Sequence, residues 1–127
     1  MASENKTIDD IKKEMERKDR FFANIHGNHM GNKNGMFDFI MVDKDGRFLG
    51  VEAKSSTGKP YPTQLRRCKE VLELGGRAVI AYPNDFNIEA IDKHEIPKYN
   101  YIDEDTKLPK YTHEIVLKGG LIYGKER

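Results

Sequence analysis

Residues 36–54 read MFDFIMVDKDGRFLGVEAK, and this stretch decides the fold. Its two halves, 36–42 and 48–54, are rich in apolar residues, and the residues between them include an Asp-Gly pair at 45–46. An Asp-Gly pair between two strand-like runs is a strong signal for a tight β-hairpin turn. The stretch therefore predicts two antiparallel strands that follow each other directly.

The hairpin places charged residues next to each other. Positions whose numbers sum to about 89 or 90 lie opposite each other across such a turn, so Asp38 lies beside Glu52. Because side chains alternate along a strand, Glu52 and Lys54 share a face and Ala53 points to the other side. Two neighbouring carboxylates are costly to bury, since like charges repel and water is lost. A divalent cation would remove that cost.

The types of these side chains indicate which cation and which chemistry to expect. Carboxylate oxygens are hard ligands that favour Mg²⁺ or Mn²⁺ over zinc. Such a cation can polarise a phosphate, and Lys54 could stabilise the negative charge that develops during attack on phosphorus. The combination of Asp38, Glu52 and Lys54 predicts a phosphodiester hydrolase.

The segment that follows the hairpin extends the sheet. Residues 62–74 carry apolar side chains at helical spacing, with Pro62 near the start and two glycines just after the end. Residues 77–82 then form a continuous apolar run closed by Pro83, which is typical of a buried strand entered from a crossover helix. The order strand, strand, helix, strand predicts a mixed sheet.

The remaining signals are weaker. In chain order they indicate a helix over 7–15 with Thr7 as N-cap, a strand over 21–26, a glycine-rich loop over 27–35, a helix or irregular segment over 86–95, and a hairpin formed by 112–117 and 121–123. Together the elements predict an α/β domain with a central mixed sheet of about four or five strands flanked by helices.

Length and charge limit the function classes. With 127 residues, the chain has room for a single domain over 1–127. Its 22 basic and 21 acidic residues give a formal charge of only +1, so net charge alone favours no partner. Any surface for nucleic acid must therefore be a local patch.

Cysteine content and the first residues indicate the compartment. The single cysteine, Cys68, excludes an internal disulfide and a cysteine-rich zinc site, which fits a reducing cytoplasm. The first twenty residues are dense in charge and contain no apolar run, so we expect neither a signal peptide nor a membrane span.

Three motifs taken together resemble a known family. Gly35 to Asp38, Gly50 to Lys54 and the helix residue Gln64 are similar to the PD-(D/E)xK nuclease superfamily, and most of all to its virus-type replication-repair nuclease (VRR-Nuc) domain. Holliday-junction resolvases are near relatives of that domain. The resemblance covers about residues 35–82 and implies a restriction-endonuclease-like core. The chain has Phe37 where the family usually has proline, a change that affects backbone preference but not a metal ligand.

The resemblance implies a role for each matched residue. Asp38 and Glu52 resemble the two metal ligands, Lys54 the catalytic lysine, and Gln64 the helix glutamine of the catalytic set. Ala53 occupies the position whose backbone carbonyl also binds the metal in this superfamily.

The superfamily often adds an acid from its first helix. Glu14 is the candidate for that ligand in this sequence, with Glu16 as its alternative and Asp10 behind them. A solvated helix face is the ordinary explanation for each of these acids taken alone.

Residues that could contact DNA follow the catalytic lysine. Ser55, Ser56 and Lys59 lie in a polar loop that could hold phosphate oxygens, and Arg66 and Arg67 lie on the helix that carries the glutamine. An ordinary loop and a solvated helix face are the alternative explanations.

The resulting hypothesis is hydrolysis of DNA by a small metal-dependent endonuclease. Similarity to junction resolvases implies a homodimer that acts on duplex or branched DNA such as a Holliday junction, and a bacterial or phage origin. Two alternatives stay open: a DNA-binding or assembly module without turnover, and a nuclease of single-strand ends or flaps. The intact Asp38, Glu52 and Lys54 argue against the first alternative.

Overall fold

The computed structural model describes residues 2–25, 36–95, 113–118 and 121–123. The elements within these ranges are α1 (Glu4–Arg17), β1 (Phe22–Asn24), β2 (Phe39–Val42), β3 (Phe48–Ala53), α2 (Pro62–Glu73), β4 (Arg77–Ala81), α3 (Ile88–Asp92), β5 (His113–Lys118) and β6 (Leu121–Tyr123). The glycine-rich loop predicted over 27–35 lies outside the described residues.

The strands follow one another across the sheet in chain order, from β1 to β6. Strands β3 and β4 are parallel and are connected by α2, whereas every other pair of neighbours is antiparallel. The predicted α/β class and mixed sheet are therefore confirmed. The described sheet has six strands where about four or five were expected, because short strands are added at both edges.

The β2–β3 hairpin has the predicted turn. Phe39 lies opposite Val51 and Met41 opposite Leu49. Gly46 adopts φ +85° within the turn, a left-handed conformation that glycine reaches without steric cost. The local sequence signals alone were sufficient to define this element.

Helices cover both faces of the sheet. On one face, α1 and α3 contribute Ile8, Ile11, Met15, Ile88 and Ile91 to a core with Phe39, Met41, Leu49, Val51, Ala53, Val79 and Ala81. On the other face, α2 packs Cys68 into a cluster with Phe37, Ala78, Ile80, Tyr82 and Ile115. Alternation along β3 therefore directs Glu52 to the α2 side. No helix in the described ranges is both long enough and apolar enough to span a bilayer.

The first helix begins earlier than predicted. Ser3 is its N-cap, and the Ser3 side chain accepts a hydrogen bond from the Lys6 N–H at 3.2 Å. The prediction of Thr7 as the N-cap was wrong, because Thr7 is buried inside the helix and its hydroxyl donates to the Lys54 carbonyl at 2.7 Å. This bond ties α1 to the end of β3.

Candidate metal and catalytic site

The hairpin brings Asp38 and Glu52 together. Because Phe39 lies opposite Val51, Asp38 falls opposite Glu52 one position further along. Asp38 Oδ2 accepts a hydrogen bond from the Ala53 N–H at 2.8 Å, which holds its carboxylate against the end of β3. Both carboxylates are buried, with 7% and 4% of the residue exposed. The structure thus pairs the two acids that the sequence nominated.

The two oxygens of the Glu52 carboxylate have different surroundings. Its Oε2 accepts a hydrogen bond from Gln64 Nε2 at 2.6 Å and lies 3.8 Å from Lys54 Nζ. Its Oε1 is buried and accepts no hydrogen bond from the part of the chain that the structure describes. A buried carboxylate oxygen without a donor is unfavourable unless another positive group reaches it.

Electrostatics at Glu52 favour the protonated form. Burial, followed by the negative charge of Asp38, raises the pKa of Glu52 to about 9, although the Lys54 charge acts in the opposite direction. A side-chain hydrogen bond with Asp38 and the charge of Glu4 raise this pKa further. With a pKa of about 9, Glu52 holds a proton at neutral pH despite the nearby Lys54.

Lys54 is buried, and both its backbone and its side chain make contacts. It is 4% exposed, its N–H donates to the Ala81 carbonyl at 2.9 Å, and its carbonyl accepts from Thr7. Its Nζ lies over the ring of Tyr61, 4.5 Å from the centroid. Hydrogen bonds thus hold the Lys54 backbone, and the Tyr61 ring contacts its ammonium group beside the carboxylate pair.

Gln64 contacts the carboxylate pair through Glu52. Its Oε1 accepts from the Tyr61 N–H at 2.7 Å while its Nε2 donates to Glu52. The side chain therefore fixes the orientation of Glu52, so Gln64 is a positioning residue in this geometry. The metal-binding role implied for the Ala53 carbonyl stays a prediction.

The structure does not bring Glu14 to the pair. One Glu14 oxygen pairs with Arg17, and the other accepts from the Ile88 N–H at 3.2 Å. Glu14 lies two turns along α1 from Thr7, about 10 Å at the rise of an α-helix. Of its alternatives, Asp10 binds Lys6 and the Asn84 N–H, and Glu16 is exposed.

Glu4 is the first-helix acid that sequence reasoning missed. Its charge contributes to the raised pKa of Glu52, which places it in the electrostatic environment of the pair. The signal that could have identified it was Ser3, a good N-cap residue that moves the helix start to Glu4.

The donor set fits a cation that keeps part of its hydration shell. No three His, Cys, Asp or Glu side chains within the described residues converge as a metal site. Mg²⁺ is commonly bound by one or two carboxylates together with water and substrate phosphates, because it dehydrates reluctantly. Asp38 and Glu52, with a Glu52 Oε1 that lacks a donor among the described residues, match that pattern better than a site enclosed by protein ligands.

Some residues of the polar loop after Lys54 make hydrogen bonds within the protein. The Ser56 N–H and hydroxyl donate to the Ala2 carbonyl at 3.1 and 3.2 Å, so Ser56 fastens the loop to the start of the chain. Ser55 Oγ lies 3.4 Å from Thr57 Oγ1, and Lys59 is exposed. Phosphate contact by Ser55, Ser56 and Lys59 stays a prediction, and Ser56 also holds the loop to Ala2.

The two arginines of α2 differ in their surroundings. Arg66 is exposed, and Arg67 pairs with Glu70 at 2.5 Å. Their predicted contacts with DNA are untested by this geometry.

A cavity lies elsewhere on the molecule. It encloses about 280 Å³ and is lined by Phe48, Val71, Leu74 and Gly76. Phe48 starts β3, Val71 lies in the last turn of α2, and Leu74 and Gly76 follow that helix, so the cavity lies at the opposite ends of β3 and α2 from Glu52 and Tyr61. The cavity therefore forms no part of the carboxylate site.

Comparisons of the chain with protein-family models, with curated proteins and with solved structures found no match.

Proposed function

We propose that this chain is a metal-dependent nuclease that hydrolyses phosphodiester bonds in DNA. The observation that carries the proposal is the Asp38–Glu52 pair: two buried carboxylates lie side by side with Lys54 Nζ 3.8 Å from Glu52, and Glu52 Oε1 lacks a donor within the described residues. Sites that bind cations and perform chemistry are where such unfavourable charge arrangements persist.

Asp38 and Glu52 would hold Mg²⁺ or Mn²⁺ between them. When bound, the cation would supply positive charge and Lewis acidity at a phosphate oxygen. Two hydrogen bonds orient the carboxylates that would bind the cation: Gln64 donates to Glu52, and the Ala53 N–H donates to Asp38. Binding requires Glu52 to release the proton that its raised pKa retains, so affinity for the cation rises with pH.

Lys54 would act on the phosphate. Its Nζ lies 3.8 Å from the Glu52 carboxylate, so a phosphate next to the pair is also next to the ammonium group. A fixed positive charge stabilises the extra negative charge that develops on the phosphate oxygens during attack. Thr7 and Ala81 hold its main chain, which keeps the reorganisation required of the lysine small.

The finer assignments belong to the same proposal. The sheet order and α2 are compatible with a restriction-endonuclease-like core, and we propose membership of the PD-(D/E)xK superfamily on the three sequence motifs. A homodimer acting on branched DNA, such as a Holliday junction, follows from the resemblance to junction resolvases. Mg²⁺ or Mn²⁺ is the proposed cofactor.

A cleavage assay with labelled DNA tests the proposal. Duplex, Holliday junction, flap and single-strand substrates would be incubated with the wild type in Mg²⁺, Mn²⁺ or EDTA. We expect cutting only with metal, and a loss of about 10²- to 10³-fold in Lys54→Ala with DNA binding retained. Lys44→Ala is the control, because it removes an exposed lysine in the β2–β3 turn, at the other end of β3 from Glu52.

The same assay separates the alternatives. Binding of DNA without cutting in either metal would replace the nuclease by a DNA-binding or assembly module. Cutting restricted to single-strand ends or flaps would replace the junction substrate but keep the site. Full activity in Asp38→Asn or Glu52→Gln would refute the proposed ligand pair.

A further inference from the structure

Tyr61 is an exposed aromatic residue beside the proposed catalytic lysine. It is the N-cap residue of α2 and is 65% exposed. Lys54 Nζ lies over the ring, 4.5 Å from its centroid, and most of the side chain faces solvent. A large exposed aromatic side chain adjoining a buried charged site is a candidate binding surface.

We propose that Tyr61 stacks on an unpaired nucleobase adjacent to the phosphate that the carboxylate pair receives. The inference rests on the proposed nuclease function and names its substrate class: DNA with an unstacked base at the site, as in flaps, single-strand ends or branch points. Tyr61 acts as a binding and specificity residue and takes no part in bond breaking.

The position of the ring carries the proposal. Lys54 Nζ lies 3.8 Å from Glu52 and 4.5 Å from the Tyr61 centroid, so one ammonium group joins the carboxylate pair to the ring. A phosphate next to Lys54 therefore brings its attached nucleotide next to Tyr61. Every base offers a π-face to an aromatic side chain, so stacking requires no particular sequence.

Stacking on this ring discriminates between DNA structures. A base inside a duplex has both faces covered by neighbouring pairs, so it must leave the stack before it can contact Tyr61, and unstacking is costly. A base that is already unpaired avoids that cost. The ring therefore favours unpaired DNA over an intact duplex.

The backbone around Tyr61 is arranged before any ligand binds. The Tyr61 N–H donates to Gln64 Oε1 at 2.7 Å, and Pro62 follows as the first helical residue. Gly58, from the same loop, packs closely on Lys54: a Cβ at position 58 would lie 3.1 Å from Lys54 Cβ. The lysine stem is thus held against Gly58, with the Tyr61 ring beside its ammonium group.

A role limited to holding Lys54 would have a different signature. If the ring only positioned the ammonium group, its removal would lower turnover on every substrate by the same factor. Base stacking instead predicts that binding weakens selectively for DNA with unpaired bases. Binding measured without turnover therefore separates the two roles.

The test measures affinity with Ca²⁺ in place of Mg²⁺, using a flap oligonucleotide and a matched blunt duplex that both carry 2-aminopurine. Wild type, Tyr61→Phe and Tyr61→Leu are compared, with Leu74→Ala as control because Leu74 is the 89%-exposed residue at the other end of α2. We expect Tyr61→Leu to weaken flap binding by about 5- to 150-fold and duplex binding by less than about twofold. Tyr61→Phe and Leu74→Ala should bind the flap as the wild type does.

The fluorescence of 2-aminopurine at the branch gives a second readout. Stacking on the ring should change its emission in the wild type and in Tyr61→Phe, and this change should disappear in Tyr61→Leu. Equal loss of affinity for flap and duplex, unchanged flap affinity in Tyr61→Leu, or no DNA binding by wild type would each overturn the inference. Selective flap binding and a fluorescence change without cleavage in Mg²⁺ would support it while refuting the proposed nuclease function.

Discussion

Replacing Glu52 by glutamine should stabilise the metal-free protein. The pKa of Glu52 is raised from 4.5 to about 9, first by burial and then by the charge of Asp38. Glutamine has nearly the same shape but carries no charge, so the penalty of a second buried carboxylate disappears. The gain should depend on pH, because the penalty exists only where the unfolded chain would release the proton.

The sign follows from proton linkage. Below about pH 4.5, Glu52 is protonated in both the folded and the unfolded state, and it contributes no pH dependence. As pH rises from about 4.5 to about 9, the unfolded state loses this proton while the folded state keeps it, so the free energy of unfolding falls. Above about 9 both states are ionised and the fall stops.

The magnitude can be bounded from the same shift. At about 1.4 kcal/mol per pH unit, the penalty at pH 8 is at most roughly 5 kcal/mol. The raised pKa already includes the attraction of Lys54, 3.8 Å away; part of the gain is offset because the glutamine amide must replace the hydrogen bond of the protonated Glu52 carboxyl group with Asp38. We expect a net gain of about 2 kcal/mol at pH 8, or roughly 6 to 10 °C in Tm for a domain of this size.

Thermal unfolding in EDTA at several pH values measures this effect. The difference in Tm between Glu52→Gln and wild type should be small near pH 5 and should grow towards pH 9. Glu73→Gln, an exposed position at the end of α2, is the matched control and should show no such trend. Adding Mn²⁺ at about 100 times its Kd should stabilise wild type by roughly 2.7 kcal/mol and leave Glu52→Gln unchanged. A variant that is less stable than wild type at pH 8 would refute the electrostatic reasoning.

Three further predictions concern the structure around the site. Gly50→Ala should cost about 1–3 kcal/mol in urea unfolding, because a Cβ there would lie 2.6 Å from the Phe37 ring; wild-type stability would contradict this close packing. Arg77→Ala should cost about 3–5 kcal/mol, because it leaves two buried carboxylates without their guanidinium partner; a loss under about 1 kcal/mol would contradict that role. Burial and the Glu52 charge raise the pKa of Cys68 to about 12, so a thiol reagent at pH 8 should modify it only after unfolding, and rapid reaction of the native protein would argue against this burial.

Local sequence signals were sufficient for the hairpin and the carboxylate pair. The Asp-Gly turn fixed the register, and the register with the two-residue period placed Asp38 against Glu52. Pro62 and the glycines after Leu74 similarly marked α2, and the apolar run after them marked β4. These features depend on residues close in sequence, so local sequence patterns predicted them.

Features set by distant contacts were not predictable in the same way. Thr7 looked like a helix cap, but its hydroxyl is used by Lys54, 47 residues away. The charge of Glu4 contributes to the raised pKa of Glu52, whereas Glu14 binds Arg17 and the Ile88 N–H. The contact between Tyr61 and Lys54 depends on the path of the loop between them, for which no periodic pattern exists.

Two groups of buried acids among the described residues have different surroundings. Asp43 and Glu114 share the guanidinium of Arg77 at 3.1 and 2.8 Å. Burial would raise the pKa of Asp43, but hydrogen bonds from the Arg47 N–H and from Arg77 outweigh it and the pKa is lowered.

The second group is the Asp38–Glu52 pair, in which no arginine contacts Glu52 among the described residues. A carboxylate oxygen without a donor is not by itself distinctive, because Glu114 Oε2 also lacks one within the described residues. The difference is charge: Glu114 contacts a guanidinium directly, whereas Glu52 contacts a neutral amide and a lysine at 3.8 Å, with Asp38 opposite. Since an arginine suffices to stabilise buried acids elsewhere in the described residues, the absence of a guanidinium beside Glu52 among those residues supports the proposed external cation.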